Sequence, residues 1–337
     1  NIKTTVELTN ETKARTANKV LPKAGLNGFD WTFVQGSIFV LRLNFCAKNP
    51  RLRQYPKRYV QFYPKCRSTM RIFETFRPKN NIIKKYVQYY YLEIDDHNIE
   101  REFTCFPHYN TAISIYKSHK RFKDATVEFH PHLLPIQIFT PLRKEALTVK
   151  QIGEIYRIVI VFNPMGIQNF FYNLNFTDYI TDFYFFKKDE INQLFTTTDI
   201  ETLGNLLDSF LIKRFCKNEN EIVKNAIFKI LNDSQSLKIS ELSKNLIISR
   251  RHLNRLFNES LGISVKNFQE IVRFRNAMTH KIFQKPLDNF TEISYEYNYS
   301  DQSHLNKVFS KLTHNSPTKF LKKGTYLGSE DIFWHLK

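Results

Sequence analysis

The residues best suited to do chemistry in this sequence are basic and amide side chains near its C-terminal end. Arg251, Asn254, Arg255 and Asn258 are three or four residues apart, so on a helix they share one face. Arginine can form paired hydrogen bonds with guanine O6 and N7, and asparagine with adenine N6 and N7. This face, with Arg250 beside it, predicts a helix that contacts bases in the major groove of DNA, whereas a solvated helix surface is the alternative.

A second copy of the same segment follows at an offset of 52 residues (304 − 252). His-Leu-Asn-Arg-Leu-Phe at 252–257 recurs as His-Leu-Asn-Lys-Val-Phe at 304–309. The outward positions of the second copy are again polar: Gln302, Ser303, Asn306, Lys307 and Lys311. For a single helix a solvated surface would be the better interpretation, but two copies with matching polar positions favour DNA binding.

The elements that must position these faces are short paired helices. Ser249 and Asp301 are placed as the N-caps of the two outward helices, and each helix turns one Leu-Phe pair inward. Between the copies, 268–283 predicts one helix that ends before Pro286. Sixteen residues span ~24 Å, which suits a spacer that holds two recognition helices near the ~34 Å repeat of successive major grooves.

The net charge supports an interaction with a polyanion, but only in parts of the chain. The total is +18 over 337 residues. Residues 238–323 hold 15 Lys/Arg and 7 Asp/Glu, and residues 1–69 hold 13 and 3, which together account for all of the excess. The middle of the chain therefore gives no electrostatic reason to contact nucleic acid.

With these residues in place, 238–323 resembles the tandem helix-turn-helix DNA-binding domain of AraC/XylS-type regulators. One signature is carried by Ser249–Phe257 with 261–264, the other by Ser300–Leu305, Phe309 and Asn315–Phe320. The resemblance implies a bacterial transcription regulator in which the second helix of each pair reads bases. It also implies double-stranded DNA and RNA polymerase as partners.

The departures from the family pattern concern the turns and one basic residue. Ile247 and Asn298 stand where the turn glycines are usual, and a β-branched residue tolerates left-handed geometry poorly. We therefore expect a distorted first turn. Lys307 stands where arginine is usual, and its ammonium group offers a point charge instead of the two parallel hydrogen bonds of a guanidinium.

Residues 70–196 predict a small β-rich domain. Short β-type runs follow one another closely, at 89–92, 102–106, 112–116, 126–129, 134–139, 146–149 and 155–162. From Phe73 to about Phe195 this part is similar to the β-rich sensor domains of one branch of the family, which implies a small-molecule effector. The predicted fold class is α+β, with a cupin- or barrel-like N-terminal domain followed by an all-α tandem helix-turn-helix domain.

Two amphipathic helices at 197–235 predict a connector. Thr198 and Glu201 form a capping-box pair before the first, and both apolar stripes suit either a core or the seam of a homodimer. Residues 236–323 are the DNA-binding domain, and 324–337 are a tail. Residues 1–69 are basic and irregular, so we interpret them as a segment upstream of a natural start at Met70, as a disordered arm, or as a basic arm that adds DNA affinity.

Catalytic chemistry has little support. His130-Pro131-His132 would place two imidazoles on one strand face, as in cupin metal sites, but the proline disturbs a strand and a surface turn is the alternative. Four scattered cysteines indicate neither a disulfide framework nor a zinc finger. We expect no catalytic residue, metal or cofactor, no membrane span, and a cytoplasmic location. Two alternatives stay open: a cupin-like metal enzyme tethered to DNA, and a non-specific architectural DNA-binding protein.

Overall fold

The fold is set by two long antiparallel strands that the sequence had divided into four. The computed structural model describes residues 70–171, 174, 176, 180, 183–328 and 332–336. In it, β2 (Val87–Cys105) pairs with β7 (Leu147–Phe162) along its whole length. The pairing is irregular between Asp95 and Ile99, opposite Gly153, whose φ of 85° lies in the left-handed region. Because polar residues fill this irregular stretch, each strand looked like two.

The other strands add to this central pair in a mixed sheet. They are β1 (Arg71–Phe76), β3 (Thr111–Tyr116), β4 (His119–Arg121), β5 (Thr126–Phe129) and β6 (Ile136–Thr140), with β8 (Gly324–Leu327) and β9 (Ile332–Leu336) at the far end of the sequence. The order is β4-β5-β7-β2-β9-β8, with β1 on β2 and with β3 between β7 and β6. Among the described residues these pairings do not close into a ring. The pairing of β5 with β7 is parallel, and the other strand pairings are antiparallel.

The two faces of the sheet serve different cores. Tyr90, Leu92 and Ile158 face α1 (Lys188–Leu194) and α2 (Ile200–Ile212) in one apolar cluster. Tyr91 and Val159, on the opposite face, line an internal cavity with β9. Within each regular part of β2 and β7, successive side chains point to opposite faces of the sheet, because a strand repeats every two residues.

The predicted capping box before α2 is wrong. Asp199, not Thr198, is the N-cap, and its side chain accepts a hydrogen bond of 2.8 Å from the Thr202 amide. Aspartate is a better N-cap than threonine, which explains why the helix begins after Asp199. α2 buries its stripe on the sheet, whereas α3 (Glu221–Asn232) buries its stripe against the helices that follow.

Those helices are α4 (Ile239–Asn245), α5 (Arg250–Leu261), α6 (Val265–Thr279), α7 (Phe290–Glu296), α8 (Gln302–Thr313) and α9 (Pro317–Lys323). A π-helical turn, His280–Gln284, extends α6 to the point where the sequence predicted its end. The repeated inward residues Leu253, Phe257, Leu305 and Phe309 are all buried in one core. A β-rich N-terminal part followed by an all-α part confirms the predicted fold class.

Residues 1–69 lie outside the described part, and so do the expectations about them. None of the described helices is both long and apolar enough to span a bilayer.

Candidate DNA interface

The two helix-turn-helix units, α4–α5 and α7–α8, have the same turn. In the first, the Ile248 amide donates to the Ser243 carbonyl at 3.1 Å, and in the second the Tyr299 amide donates to the Ser294 carbonyl at 2.8 Å. Ile247 has φ 55° and Asn298 has φ 53°. The expected distortion of the first turn is therefore wrong: the isoleucine adopts the left-handed conformation of its counterpart and leaves its side chain 91% exposed.

Both outward helices are also capped alike. Ser249 Oγ accepts from the His252 amide at 3.1 Å, and Asp301 Oδ1 accepts from the His304 amide at 2.7 Å, as predicted. Gly262 ends α5 with φ 71°, and His314 ends α8 with φ 57°. Because turn, N-cap and C-cap recur together, the duplication extends to the backbone geometry of the whole unit.

The outward face of α5 is solvent-exposed at every position that the sequence singled out: Arg250, Arg251, Asn254, Arg255 and Asn258. An open depression at the N-terminal end of the helix is lined by Ser249, Arg250, Arg251 and Asn254, with Ile239, Val265 and Lys266 beyond them. The N-terminal part of a recognition helix is the part that reaches base edges.

Three of these side chains already have partners in the free protein, and Asn258 is one of them, because its Nδ2 donates to the Asn254 carbonyl at 2.8 Å. Arg255 Nη1 lies 2.8 Å from Glu259 Oε1, one helical turn further on, and both groups are exposed. Asn254 Oδ1 accepts from the Val265 amide at 3.3 Å, which ties α5 to the start of α6. Arg250 and Arg251 stand beside the depression, so base contacts by this helix would centre on its first turn.

The face of α8 is similar in position but different in chemistry. Gln302, Ser303, Lys307 and Lys311 are exposed, and Asn306 is half-buried. Gln302 Oε1 accepts from the Thr291 hydroxyl of α7 at 2.8 Å, and Lys311 forms an ion pair with Glu270 of α6. Lys307 contributes a single charge rather than a bidentate fork, so this face is better suited to phosphates than to base edges.

α6 holds the two units in a fixed relation through Arg273. Its guanidinium donates to the Ser234 carbonyl at 3.2 Å and to the Asn298 carbonyl, in the second turn, at 3.4 Å. The same group lies 5.6 Å from the centre of the Tyr299 ring. One arginine in the spacer helix therefore joins the loop before the first unit to the turn of the second.

The candidate metal motif does not have the required geometry. His130 and His132 lie in the turn that follows β5, not on a strand, and His130 Nε2 is 3.6 Å from Glu128 Oε2. Within the described ranges, one cluster of three metal-capable side chains is found, Asp95-Asp96-His97, and Asp95 already pairs with Arg101 at 2.8 Å. His108 is buried and lines the internal cavity.

The comparisons with known proteins agree with the geometry of the helices. A family model described as "Helix-turn-helix domain" matches residues 242–323. Residues 242–323 form an AraC-type helix-turn-helix domain. The resemblance that the two signatures indicated is therefore confirmed for this part of the chain.

Curated relatives are regulators by name. The Msm operon regulatory protein of Streptococcus mutans is 26% identical over 139 residues, which cover 40% of this chain and 49% of that protein. An uncharacterized HTH-type transcriptional regulator of Staphylococcus aureus is 24% identical over 103 residues, 31% of this chain and 14% of that protein. The chain thus spans about half the length of the first relative and much less of the second.

Among solved structures, ToxT from Vibrio cholerae superposes with a TM-score of 0.38 at 12% identity, covering 75% of this chain and 98% of ToxT.

Sequence reasoning missed the acidic partners of the basic faces and the strands β8 and β9. Glu259 lies four residues after Arg255, a spacing that could have indicated the first pair. No comparable signal exists for Glu270 and Lys311, which are 41 residues apart.

Proposed function

We propose that this protein is a cytoplasmic, sequence-specific DNA-binding transcription regulator that places α5 and α8 in successive major grooves. One observation carries the proposal: the two units repeat the same turn, N-cap and C-cap, and each presents an exposed polar face on its second helix. In this proposal the chain acts by binding and not by catalysis.

The spacing and charge of the AraC-type domain support binding in two grooves. α6 has 15 residues, or about 22 Å of helix, and Arg273 fixes its relation to both units. The domain carries eight more basic than acidic residues between 238 and 323. Such an excess favours association with DNA phosphates and makes affinity fall steeply with salt.

We assign different tasks to the two recognition helices. Arg251, at the first turn of α5 beside the open depression, and Arg255 would supply base specificity through guanidinium forks. Lys307 and Lys311 of α8 would contact phosphates and set the position of the domain on the duplex. Arg250, Asn254, Asn258, Gln302, Ser303 and Asn306 complete the proposed interface.

The β-rich domain is the proposed sensor, with a small-molecule effector bound in its aromatic interior. Part of that interior is a cavity of about 140 Å³ that is lined by Tyr91, Phe103, Tyr116 and Arg157, among others. An effector can regulate only by favouring one arrangement of the AraC-type domain over another. RNA polymerase and a second copy of the chain are further proposed partners.

Selection of bound duplexes from a random library, using the full chain, tests this function. On the selected site Arg251→Ala should cost about 1–3 kcal/mol and relax the preference at one base position. Lys307→Ala should lower affinity on all sequences alike and reduce the slope of affinity against salt by about one. Lys229→Ala, on an exposed face of α3, removes the same charge and should leave affinity within about twofold.

Two outcomes would refute the proposal. One is that the library yields no preferred sequence. The other is that Arg251→Ala weakens binding to every duplex equally, which would indicate a non-specific architectural protein instead.

A further inference from the structure

The chain returns to the sheet after the AraC-type domain is complete. α9 ends at Lys323, and β8 and β9 follow as an antiparallel pair, here called the C-terminal hairpin (324–328 and 332–336). β9 pairs antiparallel with the end of β2, with Cys105 opposite Trp334 and Phe103 opposite Leu336. The C-terminal hairpin thus follows the AraC-type domain in the sequence but is part of the sheet of the proposed sensor in the structure.

The docking of this hairpin is specific. The Trp334 ring stacks on Phe103 at 4.4 Å and 19°, and Phe73 approaches it edge-on at 5.8 Å. Gly324 leaves room for the Phe333 ring, which any Cβ at 324 would overlap. Gly328 has φ 66° and lies against Thr75 of β1. Because close contacts require glycine at both positions, the hairpin is positioned by side-chain packing as well as by the strand pairing of β9 with β2.

Trp334 lies between two compartments inside the β-rich domain. One, of about 140 Å³, contains Arg157, whose guanidinium carbon is 5.3 Å from the centre of the Trp334 ring. The other, of about 180 Å³, contains Gln151, which is fully buried. Both compartments are lined by Phe103 and Trp334.

Neither compartment alone suits a small-molecule ligand. Sites for such ligands usually measure about 300–1,000 Å³, so each space is too small while Trp334 is in place. Both amide atoms of Gln151 and the Nε of Arg157 find no hydrogen-bond partner among the described residues. Buried polar groups without partners are costly, so the interior is suited to an occupant that Trp334 excludes.

The hairpin also ties α9, the helix that follows the second helix-turn-helix unit, to the sheet. His335 Nε2 donates to the Phe320 carbonyl of α9 at 2.7 Å, and the Phe320 ring meets Phe106, just after β2, at 4.5 Å. Burial lowers the pKa of His335, and the Lys323 ammonium adds to this, against the opposite effect of the Phe320 carbonyl.

The first unit has its own attachment to the β-rich domain. Gln168 Nε2 donates to the Ser260 carbonyl near the end of α5 at 2.6 Å. Gly262, the C-cap of α5, packs so closely on the Phe176 backbone that a Cβ there would overlap it. Phe106, Leu142 and Met165 of the β-rich domain also share one buried apolar cluster with the core of the helices, so these hydrogen bonds add to a continuous contact.

We propose that the C-terminal hairpin is a regulatory latch. With Trp334 docked, the interior of the sensor is divided, and the helices are fixed to the β-rich domain, which restricts their adjustment to successive grooves. With Trp334 released, the two compartments join, and α9 loses its hydrogen bond to β9 and is less tightly held. The latch therefore opposes DNA binding, and any occupant of the joined cavity competes with Trp334. This inference rests on the proposed function, since it describes how that function is controlled.

The latch can be tested in a nearly unaltered protein, because DNA binding and latch opening must affect each other equally. If the latch opposes DNA binding, DNA must loosen the latch by the same factor. The sequence contains two tryptophans, Trp31 and Trp334, so Trp31→Phe leaves Trp334 as the only emitter. Acrylamide quenching of this full-length variant should be weak without DNA and at least threefold stronger with a saturating amount of a library-selected duplex.

A pair of variants on the same strand gives the second measurement. Trp334→Ala should bind the selected duplex at least fivefold more tightly than the unaltered chain. Leu336→Ala, a neighbouring residue that is 39% exposed, should bind within twofold of it. Circular dichroism would establish that both variants fold. If Trp334→Ala does not fold, the quenching experiment decides by itself.

The latch is refuted if DNA leaves the quenching of Trp334 unchanged or shields it, or if a folded Trp334→Ala binds no tighter than Leu336→Ala. These results differ from a failure of the proposed function. In that case no duplex is selected at all, whereas a failed latch leaves sequence preference intact.

Discussion

Replacing Ile247 with glycine should stabilise the AraC-type domain, although it removes an entire aliphatic side chain. Ile247 holds φ 55° in the first turn. For an L-residue with a Cβ, left-handed geometry costs about 1–2 kcal/mol, and β-branching makes it less favourable. Because the side chain is 91% exposed, truncation gives up almost no buried apolar area.

The gain is reduced by the unfolded state, since glycine loses more backbone freedom on folding, about 0.5–1 kcal/mol. The net expectation for Ile247→Gly is a stabilisation of about 0.5–1 kcal/mol. Urea unfolding of the full chain, followed by circular dichroism, should show a higher midpoint with an unchanged slope.

The duplication supplies the matched control. Asn298 holds φ 53° at the equivalent position, but asparagine tolerates this geometry better, and its side-chain amide donates to the Gln235 carbonyl at 2.9 Å. Asn298→Gly should therefore destabilise by about 0.5–1.5 kcal/mol through the lost hydrogen bond. If Ile247→Gly were neutral or destabilising, or if Asn298→Gly gave an equal gain, the strain assigned to the first turn would be wrong.

Three further predictions concern charge. Glu259→Gln frees Arg255 from its ion pair and removes a negative charge from the α5 face. In a titration at ~0.1 M salt, affinity for the selected duplex should therefore rise about two- to fivefold. A decrease would exclude Arg255 from the interface. Glu93→Ala leaves the buried guanidinium of Arg157 without its carboxylate and should cost about 3–5 kcal/mol of unfolding free energy, part of which Arg157→Met in the same chain should restore. Burial, with the Lys323 ammonium, lowers the pKa of His335, so the docked hairpin favours the neutral imidazole. Its docking should be complete above pH 6.5, the ordinary value, and weaken as the pH falls from there through the folded pKa. Hydrogen exchange of the hairpin amides measures this, and His335→Gln should remove the dependence.

The helical half was predictable because its signals are local. N-caps at Ser249 and Asp301 follow from residue type and position, and the inward Leu253 and Leu305 follow from helical periodicity. The duplication strengthened each prediction, because a chance match of residues in one copy would not be expected in the other.

The sheet was less predictable because its pairing is not local. The runs at 89–92 and 102–106 were found, but polar residues at 95–98 concealed that one bent strand contains both. The hairpin strands were missed altogether, since five residues such as Ile332–Leu336 become a strand through the edge of β2 that they meet. The cavity depends on the same contact and therefore could not be predicted either.

The pairing of β9 with β2 has a consequence for biosynthesis. Trp334 lies 229 residues after Cys105, its partner across the ladder (334 − 105). Because β9 is made after the AraC-type domain, this edge of the sheet stays uncovered until 332–336 have been synthesised. Contacts so distant in sequence form late and leave apolar surface exposed until they do. Under the proposed latch, each newly made molecule starts in the open form and reaches the closed form only after β9 has been made.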